Sequence, residues 1–269
     1  VNKKYLLGLA AVMGFIAVVI IVANLTATDP LEEEVMADTT TTSTTSSTEE
    51  IIEITSGTAE LTETQAAEIL TSATIENVPL LNQLDSPRLR NGCEVTSLAM
   101  ILNYYNIDVT KNDLADALPS VAYQDDEGYY GDPNEAFVGD ITGDIGAGYF
   151  VYHEPIFNLA QNYLTEDLTA IDFTGSDFSK VQYFLSTGSP VLAITTTNYA
   201  ATNDMETWET VNGPVEISMS EHCVVLIGYD EEYVYLNDPY GNENYQTSLT
   251  DFIASWEQFG SQAIAITEA

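Results

Sequence analysis

The apolar pattern changes period partway along the chain. From Cys93 to Tyr105 the residues Val95, Leu98, Ala99, Leu102 and Tyr105 recur every three or four positions, which predicts a helix. Asn91-Gly92 just before it suits a sharp turn. Shorter helical stretches follow at Asp113–Leu118, Pro155–Leu164, Asp177–Ser186 and Leu249–Glu257. Runs rich in β-branched and aromatic residues dominate later: Val191–Thr196, Cys223–Tyr229, Tyr233–Leu236 and Gln262–Ile266. CVVLIGYD and YVYLNDP, separated by two glutamates, read as a hairpin. Helices early and an antiparallel sheet late predict an α+β domain rather than alternating βαβ units.

That domain is expected to span residues 76–269, with two different segments before it. Tyr5–Leu25 holds 21 residues without a charge. As a helix they reach about 32 Å, enough for about 30 Å of bilayer hydrocarbon. Residues 1–27 therefore read as a signal-anchor transmembrane helix. Lys3 and Lys4 precede the run and Asp29, Glu32, Glu33 and Glu34 follow it, an asymmetry that places the remainder outside the cell. The alternative is secretion after cleavage at Ala23 or Ala27, for which Ile21 and Leu25 are poor preceding residues. Residues 28–75 carry 11 acidic side chains and no basic one around the all-Ser/Thr stretch Thr39–Thr48. Such a segment is expected to be a disordered, self-repelling stalk. Within it, Thr62–Ser72 has the pattern of a short helix capped by Thr62 with Gln65 in the capping box.

Charge removes several functions. The chain has 42 acidic and 6 basic residues, a formal net charge of −36. Nucleic-acid binding needs clustered Lys and Arg to neutralise phosphates, so no nucleic-acid partner is expected. Two histidines and two cysteines, without HExxH, CxxC or an EF-hand register, give no basis for a metal or other cofactor. The acidic stretch Asp125–Asp140 reads as a solvated loop.

Cys93 opens the first long helix, where backbone N–H groups and the helix dipole favour a thiolate. A nucleophilic thiol needs a base, and that base needs an orienting group. Only His153 and His222 are available. His222 begins one strand of the expected hairpin and Asp238 ends the other, so the two fall near its open end. Cys, His and Asp in that order match a papain-like arrangement; the alternative is an ordinary buried Cys93 and a surface His222. Asn237 competes with Asp238 for the orienting role. His153 reads as a surface or aromatic-packed residue. Cys223 should face the opposite side of the strand from His222 and pack in the core, although a Cys93–Cys223 bridge is conceivable outside a cell. Trp208 and Trp256 are core residues by default. Arg88 and Arg90 either bias the thiol or fix a loop.

Several motifs in order carry a resemblance: VPLLNQ (Val78–Gln83), GCEVTSLAMILNYY (Gly92–Tyr105), GDP (Gly131–Pro133) with Phe137 and Gly139, and Gly146–Tyr152. They continue in EHCVVLIGYD (Glu221–Asp230), NDPYG (Asn237–Gly241) and GSQAI (Gly260–Ile264). With these, the chain from Val78 onward resembles the papain-like cysteine peptidases of family 39, the bacteriocin-leader-processing type, and especially its stand-alone bacterial branch. The resemblance implies a papain-like fold, Cys93 as nucleophile, His222 as general base and acid, Asp238 as orienting carboxylate and Gln83 as oxyanion-hole donor. Gln83 lies ten residues before Cys93, farther than in the leader peptidases, and Asn106 stands where the motif has Gly. No ATP-binding or multi-helix transporter segment accompanies the domain. The expected function is an extracytoplasmic, membrane-anchored thiol hydrolase acting on a peptide or amide, with cationic peptides favoured by the acidic surface. An acyltransferase on the same fold and a catalytically silent surface-binding module are the alternatives.

Overall fold

The computed structural model describes residues 61–269. The expected anchor at 1–27 and residues 28–60 of the expected stalk lie outside the described residues. Among the described residues no helix is long and apolar enough to cross a membrane.

The described residues begin with helix α1 (Glu63–Glu68) and strand β1 (Ala73–Thr74), then α2 (Cys93–Tyr104) and α3 (Lys111–Ala117). Short strands β2 (Ser120–Val121) and β3 (Phe137–Val138) precede α4 (His153–Gln161), β4 (Leu168–Asp172) and α5 (Phe178–Ser186). Strands β5 (Val191–Thr196), β6 (Met205–Thr210), β7 (Gly213–Ser218), β8 (Glu221–Tyr229), β9 (Tyr233–Asp238) and β10 (Asn242–Ser248) follow. Helix α6 (Leu249–Gln258) and strand β11 (Ala263–Glu268) complete the fold.

The main sheet has seven strands in the order β10-β9-β8-β5-β11-β4, with β1 added against β8. Its pairings are antiparallel, so the α+β expectation holds. Every residue of β5 and β8 is buried. Strands covered on both faces read as unbroken apolar runs, which is why VLAITT and CVVLIGY carry no polar alternation. Helix α2 is buried from Cys93 through Leu102 and packs against β8 and β5.

Local chemistry explains the helix boundaries. Thr62 and Thr110 each accept the backbone N–H of the third helical residue, Gln65 and Asp113, whose side chains return the bond. Such caps are worth about 1 kcal/mol each. Asn106 ends the α2 segment at φ +62°, the left-handed conformation that Gly ordinarily supplies and Asn tolerates.

The domain starts earlier than the expected residue 76. Ala73 and Thr74 pair with Tyr229 and Gly228 of β8, so residues 61–75 are not bare stalk. The sequence there shows no strand period, but its backbone finds partners on the sheet. The β6–β7 hairpin, β4 and β10 were not expected from the sequence either.

Candidate active site

The β8–β9 hairpin forms as expected, with a bulge between Leu226 and Gly228. It brings the second residue of β8, His222, to the last residue of β9, Asp238. The His222 Nε2 lies 2.7 Å from Asp238 Oδ1, and both side chains are almost wholly buried. Asp238 Oδ1 also accepts the Tyr240 backbone N–H at 2.9 Å. Its Oδ2 accepts the Tyr199 hydroxyl and the Asn242 amide, each at 2.7 Å. Burial works to raise this carboxyl, but the bonds from His222, Tyr240 and Tyr199 outweigh it and hold Asp238 well below the usual carboxylate range. An ionised Asp238 fixes the His222 proton on Nε2. The other ring nitrogen, Nδ1, is buried and has no protein partner.

Asn237 is not the orienting group. Its Nδ2 donates to Val78 O at 3.0 Å and its Oδ1 accepts the Asn244 N–H at 2.9 Å, so both ends hold backbone. Tyr240 follows Asp238 by two residues and stacks on the imidazole, ring centroids 4.6 Å apart and 11° from parallel. It was missed in the sequence, although it lies inside the NDPYG motif.

Cys93 is the first residue of α2. The residue ahead of the capping Gly92, Asn91, straps the helix start to the neighbouring loop through Asn91 Nδ2 to Asp140 O at 2.8 Å and Asn91 N to Ile141 O at 3.1 Å. The sulfur lies within 4.8 Å of carboxyl oxygens of Glu94 and Glu221. Its thiol donates to Glu94 Oε2 at 3.3 Å, and no bond joins it to His222. Burial, then the charges of Glu94 and Glu221, push the Cys93 thiol up, against a smaller opposite pull from the Cys223 backbone. The thiolate expected from the helix start is thus corrected: burial first, and negative charge on the neighbouring acids next, favour the thiol. Glu94 Oε1 accepts the Val151 N–H at 2.9 Å, so both of its oxygens are engaged within the protein.

Gln83 is fully buried. Its backbone N–H donates to Pro239 O at 2.8 Å, next to Asp238. Its side-chain Nε2 donates to Arg90 O at 2.8 Å, three residues before Cys93, which leaves a second N–H free. The residue therefore bridges the turn after Asp238 and the approach to Cys93, and the ten-residue gap is spanned by a loop that folds back.

The remaining candidates separate from this group. His153 pairs through Nδ1 with Asp172 Oδ2 at 2.5 Å, beside a cleft of about 530 Å³ that none of Cys93, His222, Asp238 or Gln83 lines. Arg88 pairs with Asp144, both half-exposed, and so holds a loop. Cys223 is buried, and both cysteines are free thiols. Trp208 stacks on Tyr130 at 4.2 Å, and Trp256 donates its indole N–H to Gln262 O at 2.9 Å; both are core.

Residues 75–264 match the Peptidase_C39 like family. The uncharacterised protein YvpB of Bacillus subtilis is 50% identical over 199 residues, which cover 74% of this chain and 78% of that protein. A crystal structure from Bacillus anthracis, described as a C39-like peptidase, superposes with a TM-score of 0.70 at 43% identity, over 74% of this chain and 98% of that one. On its sequence and its fold alike, the chain belongs to the Peptidase_C39 like family.

Proposed function

We propose that the domain is a cysteine peptidase-like hydrolase that cleaves a peptide or amide through a Cys93 thioester. The observation that carries this reading is the asymmetry of His222: Nε2 is held by Asp238, and Nδ1 is buried without a partner. A nitrogen kept in that state is a base awaiting a proton. In the proposed reaction His222 Nδ1 takes the thiol proton of Cys93. The sulfur attacks the carbonyl carbon, and the oxyanion meets the Cys93 backbone N–H and the free N–H of Gln83. His222 then gives its proton to the departing amine, and water releases the acid from the thioester. Each oxyanion donor contributes about 3–4 kcal/mol to the transition state.

The excess of acidic side chains on the chain supports a cationic peptide as substrate. The signal-anchor pattern of residues 1–27 supports a domain held at the outer face of a cell membrane. Cys93→Ala and His222→Ala are each expected to abolish hydrolysis in a peptide-library assay, with Lys- and Arg-containing peptides preferred by the unaltered protein. Undiminished hydrolysis in either variant removes the assignment.

A further inference from the structure

Glu94 and Glu221 form an unusual pair beneath the nucleophile. A carboxyl oxygen of each lies within 4.8 Å of the other and of the Cys93 sulfur. Glu94 is 0% and Glu221 8% exposed. Their hydrogen bonding is unequal. Glu94 accepts the Val151 N–H and the Cys93 thiol. Glu221 Oε1 is buried with no partner. Two carboxylates at this separation and depth resist being charged together, because burial strips the solvation that would otherwise offset their repulsion. Among the described residues no salt bridge reaches either of them.

We propose that Glu94 and Glu221 share protons as a pair that governs the ionisation of Cys93, with Glu94 the ionising member and Glu221 the acid that stays neutral. This rests on the reading of Cys93 as the nucleophile. Glu94 has two protein donors to stabilise its charge, and among the described residues no protein group donates to the Glu221 carboxyl. When both are protonated, Cys93 faces no negative charge and can pass its proton to His222 Nδ1. When Glu94 loses its proton to solvent, the carboxylate holds the S–H bond and opposes a thiolate beside it. The fold therefore favours the nucleophile on the acid side of the Glu94 titration. Burial first of all raises Glu94 to about 7, and raises Glu221 well above its ordinary value with Glu94 as the next cause.

The other groups facing this pocket come from four parts of the chain. Strand β8 gives His222 and Cys223. The segment before α4 gives the hydroxyls of Tyr149 and Tyr152, both driven up by burial and then by Glu221. The turn after β9 gives Tyr240, pushed up to about 12 by burial and then by Cys93, and β9 itself ends in Asp238, already committed to His222. None of these is a cation able to neutralise Glu94, apart from His222 once it has taken the thiol proton.

The test is the rate at which a neutral alkylating reagent, iodoacetamide, modifies Cys93 in the full chain, read by peptide mass spectrometry from about pH 5 to about pH 9. In the unaltered protein, reactivity is expected to be suppressed above neutrality. Glu94→Gln keeps an acceptor for the Val151 N–H and removes the charge, so Cys93 should react at least about tenfold faster at about pH 8. Glu221→Gln should move the profile less, since an amide replaces an acid that is already neutral. Superimposable profiles for Glu94→Gln and the unaltered protein overturn the proposal, as does a shift in Glu221→Gln as large as that in Glu94→Gln. Should Glu94→Gln fail to fold, infrared titration of the unaltered protein decides instead. A buried protonated-carboxyl band that fades near neutrality supports the pair, and no such band overturns it. Hydrolysis that survives in Cys93→Ala speaks against the nucleophile itself, whatever the alkylation profiles show.

Discussion

At the scale of single residues, the site sets one carboxylate against two acids. Asp238 is wrapped by donors from His222, Tyr240, Tyr199 and Asn242 and stays charged. Glu94 and Glu221 are buried with less help and resist charge. Asp238→Asn presents an amide to Nε2 and unsettles the tautomer. Turnover should fall by about 10³–10⁴-fold, with KM changed far less; steady-state kinetics on a peptide substrate checks the split. Glu94 carries a consequence for stability. Its folded value, about 7, lies above its ordinary 4.5. The folded state therefore holds this proton after the unfolded chain has lost it. Stability is full below 4.5, declines as pH rises towards about 7, and stays reduced above that. Gln at position 94 escapes the loss. Thermal melts should show Glu94→Gln gaining on the unaltered protein as pH rises through this window, by at most about 3 kcal/mol. A constant difference between the two melting curves across the window would contradict this. The pairing of His222 with Asp238 was legible in the sequence because a hairpin fixes where they fall, and Cys93 was legible as the start of α2. The Glu94–Glu221 contact was not, since a helix and a distant strand create it with no spacing rule between them.

At the scale of elements, helix α2 and strands β5, β8 and β9 announce themselves by period and composition, and the structure departs from those expectations mainly at the ends. The β6–β7 hairpin, METWET paired with GPVEIS, is largely exposed on one face and buries few side chains. Strand β10, NENYQTS, is an exposed edge with no apolar alternation. Pairing with β9 makes it a strand, and that information lies in β9 rather than in its own residues. The loop that straps Cys93 depends on close backbone approach. Gly139 and Gly148 form an isolated bridge. A Cβ on Gly148 would lie 2.0 Å from Asp140 O and 2.5 Å from Asn91 Nδ2, the two atoms that secure the helix start. Gly148→Ala should therefore lower the melting temperature, at a cost of about 1–3 kcal/mol, and slow Cys93 alkylation as well. Gly146→Ala, two residues earlier, meets nothing within 4 Å and is the control. Equal melting temperatures for the two variants would show that the strap is slack.

At the scale of the whole molecule, the chemistry and the anchoring of the N-terminal segment occupy opposite ends of one strand. His222 stands near the start of β8, and Gly228 and Tyr229 at its end receive β1. Strand β5 pairs with β8 only as far as Leu226, so β1 continues the sheet beyond it. The fit is tight: a Cβ on Gly228 would lie 2.6 Å from Ala73 O. Further bonds fasten the segment, from Ile75 N to Ile227 O at 2.7 Å, from Leu70 N to Ser186 Oγ at 3.1 Å, and from the Tyr229 hydroxyl to Leu70 O at 2.5 Å. The sequence concealed this, because β1 is two residues long and shows no strand period of its own, so the segment reads as tail until a sheet offers its backbone partners. Deleting residues 61–74 from the full chain removes the β1 pairing and leaves part of the β8 backbone unpaired. At about 1 kcal/mol for each net hydrogen bond, the loss should reach about 2–4 kcal/mol and be visible as an earlier urea midpoint. The Cys93, His222 and Asp238 groups do not touch the deleted residues, so alkylation of Cys93 at low temperature should keep its rate and its pH profile. An unshifted midpoint would mean that the segment rests on the domain without supporting it. A changed pH profile would mean that β8 transmits strain along its length to His222.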